Sequence, residues 1–475
     1  MRQLVWFRTD LRVHDNTALH AALNAGPTIA VYVLSPDQWH SHADAACKVD
    51  FWLRNLIELQ ASLAKLNIAL LIRTATDWQQ APALLEQLCH TLHISAVHVN
   101  TEYGHNETQR DLAVGTRLVD QGIQFHSHFD RLLFKPGSLL TQTGTYFKVF
   151  SQFKKTSYQR LADSLPTTLH APRPQAPLAI ESDAIPTAMA GFAAVTPQLK
   201  QLWPAGEQAA QQRLNRFSAA AIDAYLEQRD FPALAGSSQL SPYLAAGVLS
   251  VRQCLHAALA ANQGEFASGK PGVVTWINEL LWREFYTHIL VGYPRVSRNQ
   301  AFKAETEALA WRNAPADLLA WQQGRTGFPI IDAAMRQLLA TGWMHNRLRM
   351  IVAMFLTKNL LIDWREGERF FMQHLIDGDL AANNGGWQWS ASTGTDAVPY
   401  FRIFNPISQS QRFDPKGVFI RHWLPELQHL SDKDIHQPKH HDGLFAPLAY
   451  PKPIVDLAAS RARALAAFKN LPKVS

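Results

Sequence analysis

Over the first 130 residues, short apolar, β-branched runs alternate with stretches of helical period, and after residue 205 the alternation stops. That switch constrains the fold more than any other feature. QLVWF at 3–7, TIAVYVL at 28–34, IALLIR at 68–73, SAVHV at 95–99 and IQFHSH at 123–128 have the length and composition of strands. Between them, 16–25, 49–66, 78–92 and 107–121 repeat their apolar residues at helical spacing. Parallel neighbours in a sheet need crossover connections, so the pattern predicts an α/β, doubly wound parallel-sheet domain over 1–130 with ligands at the carboxyl ends of its strands. No GxGxxG and no GxxxxGK[ST] occurs, so neither motif says what such a ligand is.

Residues 131–204 shift to Pro, Ala, Ser and Thr, with APRPQAP at 171–177, and read as an interdomain linker. From 205 to 475 the chain reads as an all-α domain, with helical spacing over 206–227, 241–261, 272–290, 316–323, 328–341, 343–361, 366–376 and 453–469. With 475 residues, 47% hydrophobic and 18% charged, there is ample material for two cores. Cys47, Cys89 and Cys254 lie far apart without a CxxC, which argues against a disulfide scaffold or a zinc site and for a reducing compartment. Charges at Arg2, Arg8 and Asp10 interrupt the start, and no apolar run reaches eighteen residues, so a cytoplasmic protein without a membrane span is expected. A net charge of +6 permits a polyanionic partner without requiring one.

Three stretches are candidates for chemistry. GSSQLS at 236–241 places hydroxyls before Pro242 and a helical run, with Ser241 as the expected N-cap; it suits phosphate oxygens or is simply a capped helix start. WINELLWREFY at 276–286 puts Glu279, Trp282, Arg283 and Tyr286 on one helix face, either as a stacking platform with hydrogen-bonding neighbours or as a surface ion pair beside a half-buried indole. Asn346 and Met350 share a face in TGWMHNRLRMI, with Arg347 and Arg349 beside them. DGDLAANNGGWQWSASTGTDAVPYFRIFNP at 377–406 is too polar for core and too aromatic for a solvated loop, and reads as pocket lining.

These motifs, with VWFRTDLRVHDN at 5–16, EQRDFP at 227–232, WMHNRLRM, LIDWREGERFF and YPKPIVD, resemble the photolyase/cryptochrome family over nearly the whole chain, and within it the bacterial class I cyclobutane pyrimidine dimer photolyases. The resemblance implies light-dependent repair of ultraviolet-damaged DNA by electron transfer from excited, reduced FAD, in a protein expected to be a monomer. It implies FAD binding by Tyr225, Ser237, Ser238, Gln239, Leu240, Ser241, Trp276, Arg349, Asp377, Gly378, Asp379 and Asn383, with Arg349 paired to Asp377 and Asn383 facing flavin N5. Relatives commonly carry Thr and Arg where this loop has Ser237 and Gln239, which removes a charge. The lesion pocket would use Glu279, Trp282, Asn346, Met350 and Trp389 beside Asn383. DNA contacts would come from Arg229, Glu279, Trp282, Arg283, Asn346, Arg347 and Gln409. Trp311, Trp364 and Trp387 match the family's electron-carrying tryptophans.

His42, Asn106 and Glu107 match antenna contacts, for 5,10-methenyltetrahydrofolate or 8-hydroxy-5-deazaflavin; Arg298 stands where a Lys is expected. Three alternatives go with the resemblance, one of them a flavin electron-transfer protein with no nucleic-acid partner, in which Trp282 and Trp389 would face no substrate. A (6-4) photoproduct enzyme usually has a histidine-rich motif where this chain has Asn346 to Met350, and a signalling cryptochrome often carries a long tail. No metal is expected.

Overall fold

Strands β1 (Arg2–Phe7), β2 (Thr28–Leu34), β3 (Leu70–Thr74), β4 (Ile94–Asn100) and β5 (Gln124–His128) form one parallel sheet in the order β3-β2-β1-β4-β5. The structure is a computed structural model and describes residues 1–439 and 449–471. Helices Thr17–Ala25, Ala46–Ala64, Ala81–Leu92 and His105–Asp120 make the crossovers. β2 is buried along its whole length, which is why its sequence is a continuous apolar run rather than an alternating one. Leu4, Trp6, Val31, Val97 and Val99 pack with Leu85, Leu88, Val114 and Leu118 from the covering helices.

The strand order reverses between β1 and β4, the switch point where a crevice opens in doubly wound sheets. Buried polar groups collect beyond it. Asn100 donates to Asp10 at 2.7 Å, and Arg12 and Arg252 both bond Asp130, at 2.6 and 2.9 Å. Arg252 also reaches Asp15 at 2.9 Å, so it ties the helix Val251–Ala261 to the sheet region.

Two compact units result. One comprises Met1–Asp223, Ser238–Ser297 and Ile376–Asp379; the other comprises Ala224–Ser237, Arg298–Leu375 and the chain from Leu380 on. The second unit is helical, and its core holds Trp321, Phe328, Met335, Leu348, Trp364, Phe371 and Trp387.

Several elements depart from the periodicity. The expected helix 206–227 is Glu207–Arg216, a π-turn at Phe217–Ala221 and a short turn at Tyr225–Gln228. The expected helix 241–261 breaks at 246–250, because Ser250 and Gln253 form a capping box that starts a new helix. Part of the Pro-rich connection is ordered as the helix Phe150–Asp163, whose Phe153 packs on Phe285 at 5.5 Å. The segment expected as pocket lining contains the helix Leu380–Ala391. Cys47, Cys89 and Cys254 are free thiols. Among the described residues no helix is long and apolar enough to cross a membrane, and no cluster of His, Cys, Asp or Glu is placed to hold a metal ion.

Candidate functional site

The helix Pro271–Gly292 carries the first group of expected residues. Glu279, Trp282, Arg283 and Tyr286 are half-buried along one side, whereas Trp276, Ile277, Leu280, Leu281 and Phe285 are buried. The Trp282 ring is fixed. Phe150 stacks on it at 3.7 Å with an interplanar angle of 11°, and Phe285 closes its edge at 5.7 Å. An indole backed on one side by a second ring is a prepared surface for another flat group.

Glu284, His288 and Arg283 of the same helix grip the segment after β5. Glu284 accepts the backbone N–H groups of Leu133 and Phe134, at 3.0 and 3.3 Å. His288 Nε2 meets the Phe134 carbonyl at 3.1 Å, and Arg283 donates to the Arg131 carbonyl at 3.0 Å. Burial pushes the Glu284 carboxyl up to about 7, against the pull of Arg283, and holds His288 down at about 4. The helix is thereby held in register against the sheet. Arg131 in turn reaches Thr9 at 2.7 Å and comes within 3.9 Å of Asp379.

The expected cofactor residues of this unit are Ser238, Gln239, Leu240, Ser241, Trp276, Asp377, Gly378 and Asp379. Trp276 is buried against Phe217, with centroids 5.1 Å apart. Asp377 and Gly378 are buried and Asp379 is half-buried. The role expected of Ser241 as helix cap is not observed. The helix is Ser241–Ala245 with Leu240 as its N-cap, because Leu240 already has turn-like angles of φ −92° and ψ −7°. Gln239 sits at φ +50°, in the left-handed region, and accepts from Arg213 at 2.7 Å.

The second unit gathers the remainder. Trp364 and Trp387 are fully buried in one apolar cluster, and Trp311 packs half-buried at its margin. Trp321 meets Trp387 edge-on at 6.0 Å, and Phe371 does so at 5.0 Å. A Cβ on Gly367 would lie 2.1 Å from Trp387 Cη2, so only glycine leaves room for that ring. Asn383 donates to the Glu368 carbonyl at 2.9 Å and to its Oε1 at 3.2 Å. Burial pushes Glu368 up to about 7. Trp389 and Met350 are half-buried, Asn346 is exposed, and Tyr225 is buried. Arg347 bonds Asp230 at 2.9 Å, lies 4.5 Å over Phe413, and shares Asp230 with Arg229. Gln409 stands one turn before Phe413 on the helix Pro406–Phe413. Arg349 donates to the Met344 carbonyl at 2.8 Å.

The expected antenna residues also come together. His42 Nε2 lies 2.9 Å from the amide nitrogens of both Gln38 and Asn106. Glu107 folds over Gly104, where a Cβ would come 2.0 Å from its Oε2, and burial with the nearby Glu102 raises its carboxyl. A cavity of about 590 Å³ is lined by Thr108, Leu112, Gly115, Phe125, Leu290 and Pro294. Glu102 and Asp111 also line it, and Arg110 bonds both, at 2.8 and 2.7 Å.

Sequence reasoning missed Phe150, Arg131, Arg213, Glu284 and Glu368. Glu284 and Glu368 carried a usable signal, since each is a carboxylate on the apolar stripe of its helix. Within the first unit the residues present suit a flavin dinucleotide: hydroxyl and amide donors at 238–241 for phosphates, and carboxylates at 377 and 379 for ring edges.

Residues 276–470 match the family described as the FAD binding domain of DNA photolyase, and residues 3–175 that described as DNA photolyase. The chain is 44% identical over 473 residues to the deoxyribodipyrimidine photo-lyase of Escherichia coli, with 99% of each chain covered. Among solved structures it superposes on a class III photolyase from Agrobacterium tumefaciens with a TM-score of 0.87, at 35% identity, covering 98% of this chain and 97% of the other. It superposes on a Synechocystis cryptochrome with a TM-score of 0.86 at 30% identity, covering 98% of both.

Proposed function

The chain belongs to the DNA photolyase family, and from that premise we propose that it repairs cyclobutane pyrimidine dimers in ultraviolet-damaged DNA under near-ultraviolet or blue light. FAD held in its reduced form would supply the electron that opens the dimer ring and would take it back afterwards, with no net redox change. The observation that carries the reading is the Trp282 indole, backed by Phe150 and flanked by half-buried Glu279 on one helix.

A dimer inside a duplex is out of reach, so it must be flipped out, and damaged bases cost least to extrude. Trp282 and Trp389 offer apolar faces to the flipped pair, Met350 fills beside it, and Glu279 and Asn346 hydrogen-bond its polar edges. Arg229, Arg283, Arg347 and Gln409 contact the backbone, so affinity falls as salt rises. Tyr225, Ser237, Ser238, Gln239, Leu240, Ser241, Trp276, Arg349, Asp377, Gly378, Asp379 and Asn383 hold FAD. Trp311, Trp364 and Trp387 carry an electron inward to restore the reduced cofactor, a route supported by their burial, which rises from Trp311 to Trp364 and Trp387. His42, Asn106 and Glu107 hold the antenna, a folate of the methenyl type or a deazaflavin. On this reading residues 1–130 serve the antenna, 131–204 link, and 205–475 serve FAD and DNA, in a cytoplasmic monomer.

The test illuminates the reduced, FAD-loaded protein with a thymine oligonucleotide carrying dimers. Intact thymines should return in light and not in darkness; no return in light overturns the reading. A light response of the protein without repair would instead favour cryptochrome-type signalling, the alternative raised by the Synechocystis neighbour.

A further inference from the structure

Arg213 stands on the helix Glu207–Arg216 with its guanidinium 5.1 Å from the ring centroid of Trp203 and 5.7 Å from that of Tyr243, both fully buried. Its Nη2 donates to the Leu202 carbonyl at 3.1 Å and its Nη1 to Gln239 Oε1 at 2.7 Å. Its Nε is buried and bonded to nothing among the described residues. Every partner of this cation is therefore neutral, and among the described residues no carboxylate balances it. A half-buried guanidinium stacked on rings with no carboxylate beside it can take an anion, and its planar fork suits phosphate oxygens.

The cation is aimed at one place. Gln239 lies in the hydroxyl-bearing loop before Pro242 and holds a left-handed backbone at φ +50°, a conformation kept where surroundings or function demand it. The positive charge of Arg213 stands next to this loop. We propose that Arg213 is a cofactor-binding residue that brings to the 238–241 loop the positive charge Gln239 lacks, and so binds the phosphates of the dinucleotide from the neighbouring helix. The inference rests on the reading of this loop as the phosphate seat.

Equilibrium binding of FAD to the apoprotein, followed by flavin fluorescence, tests it, with riboflavin as the probe that has the ring and no phosphate. R213Q should weaken FAD about tenfold, the scale of one charge-assisted hydrogen bond, leave riboflavin unchanged and flatten the salt dependence of FAD binding. R213K should keep part of the affinity, and R213Q/Q239R should recover it by returning the charge to the loop. Equal losses for FAD and riboflavin in R213Q would mean a structural role, and an unchanged Kd for FAD would mean no role; either overturns the proposal. S238A separates the two levels of inference. If S238A weakens FAD selectively and R213Q does not, only the role of Arg213 falls. If S238A and R213Q both leave the preference for FAD over riboflavin intact, the loop is not the phosphate seat and the proposal falls with it.

Discussion

Helices Pro271–Gly292 and Leu380–Ala391 are both tryptophan-bearing and use their indoles in opposite ways. On the first, Trp282 has one face backed by Phe150 and remains half-buried. On the second, Trp387 is enclosed by Trp321, Phe371 and the space left at Gly367, while Trp389, two residues on, is half-buried. Two residues span about 200° of helix, so one short element places one indole inside the core and another toward its margin. The difference teaches that exposure, rather than residue type, separates an indole open to a partner from one enclosed in the core.

Four experiments break or sharpen that contrast. The largest effect is expected for W387F, which should abolish most light-driven reduction of oxidised cofactor, read by absorbance, and leave repair by chemically reduced protein intact; retained photoreduction would remove Trp387 from the relay. G367A should come next. Its new Cβ would meet the Trp387 ring, and a cost of about 3 kcal/mol is expected from overpacking, seen as a fall in Tm. An unchanged Tm would show that the ring has room to move. W282A should do the converse of W387F: it should weaken binding to dimer-containing DNA about tenfold, the loss of one stacked ring, with photoreduction unaffected.

The last experiment concerns pH. Glu368 and Glu284 are both raised to about 7 by burial from an ordinary carboxyl near 4.5, so the folded state holds their protons after the unfolded chain has released them. Stability should therefore fall as pH rises from about 4.5 to 7, by at most about 1.4 kcal/mol per pH unit for each group. E368Q should remove its share of that slope and leave the share of Glu284; denaturant titrations at several pH values measure it, and an unaltered slope would deny Glu368 its raised pKa.

The α/β half was largely legible because β1 to β4 are apolar runs bounded by turns, and burial makes such runs unambiguous. β5 was legible mainly from its place in the alternation, since QFHSH is mostly exposed or half-buried. The helix Leu380–Ala391 was not legible, because adjacent asparagines and glycines lower helix propensity and its stability comes from packing around Trp387. The helix Phe150–Asp163 was hidden for a different reason: a low-complexity neighbourhood masked one amphipathic segment. In the candidate site, local periodicity correctly placed Glu279, Trp282 and Arg283 on one face. It was silent on Arg131 and Arg213, whose partners lie far away in the chain. Ser241 shows the usual one-residue uncertainty of helix ends.

The bond between Asn383 and Glu368 limits what the amide can say to any other molecule. Turning that amide over would set oxygen against oxygen at Glu368, so both hydrogens on Nδ2 are committed there and only Oδ1 is left to speak outward. A heterocycle that comes to rest against this side chain therefore meets a hydrogen-bond acceptor in Oδ1.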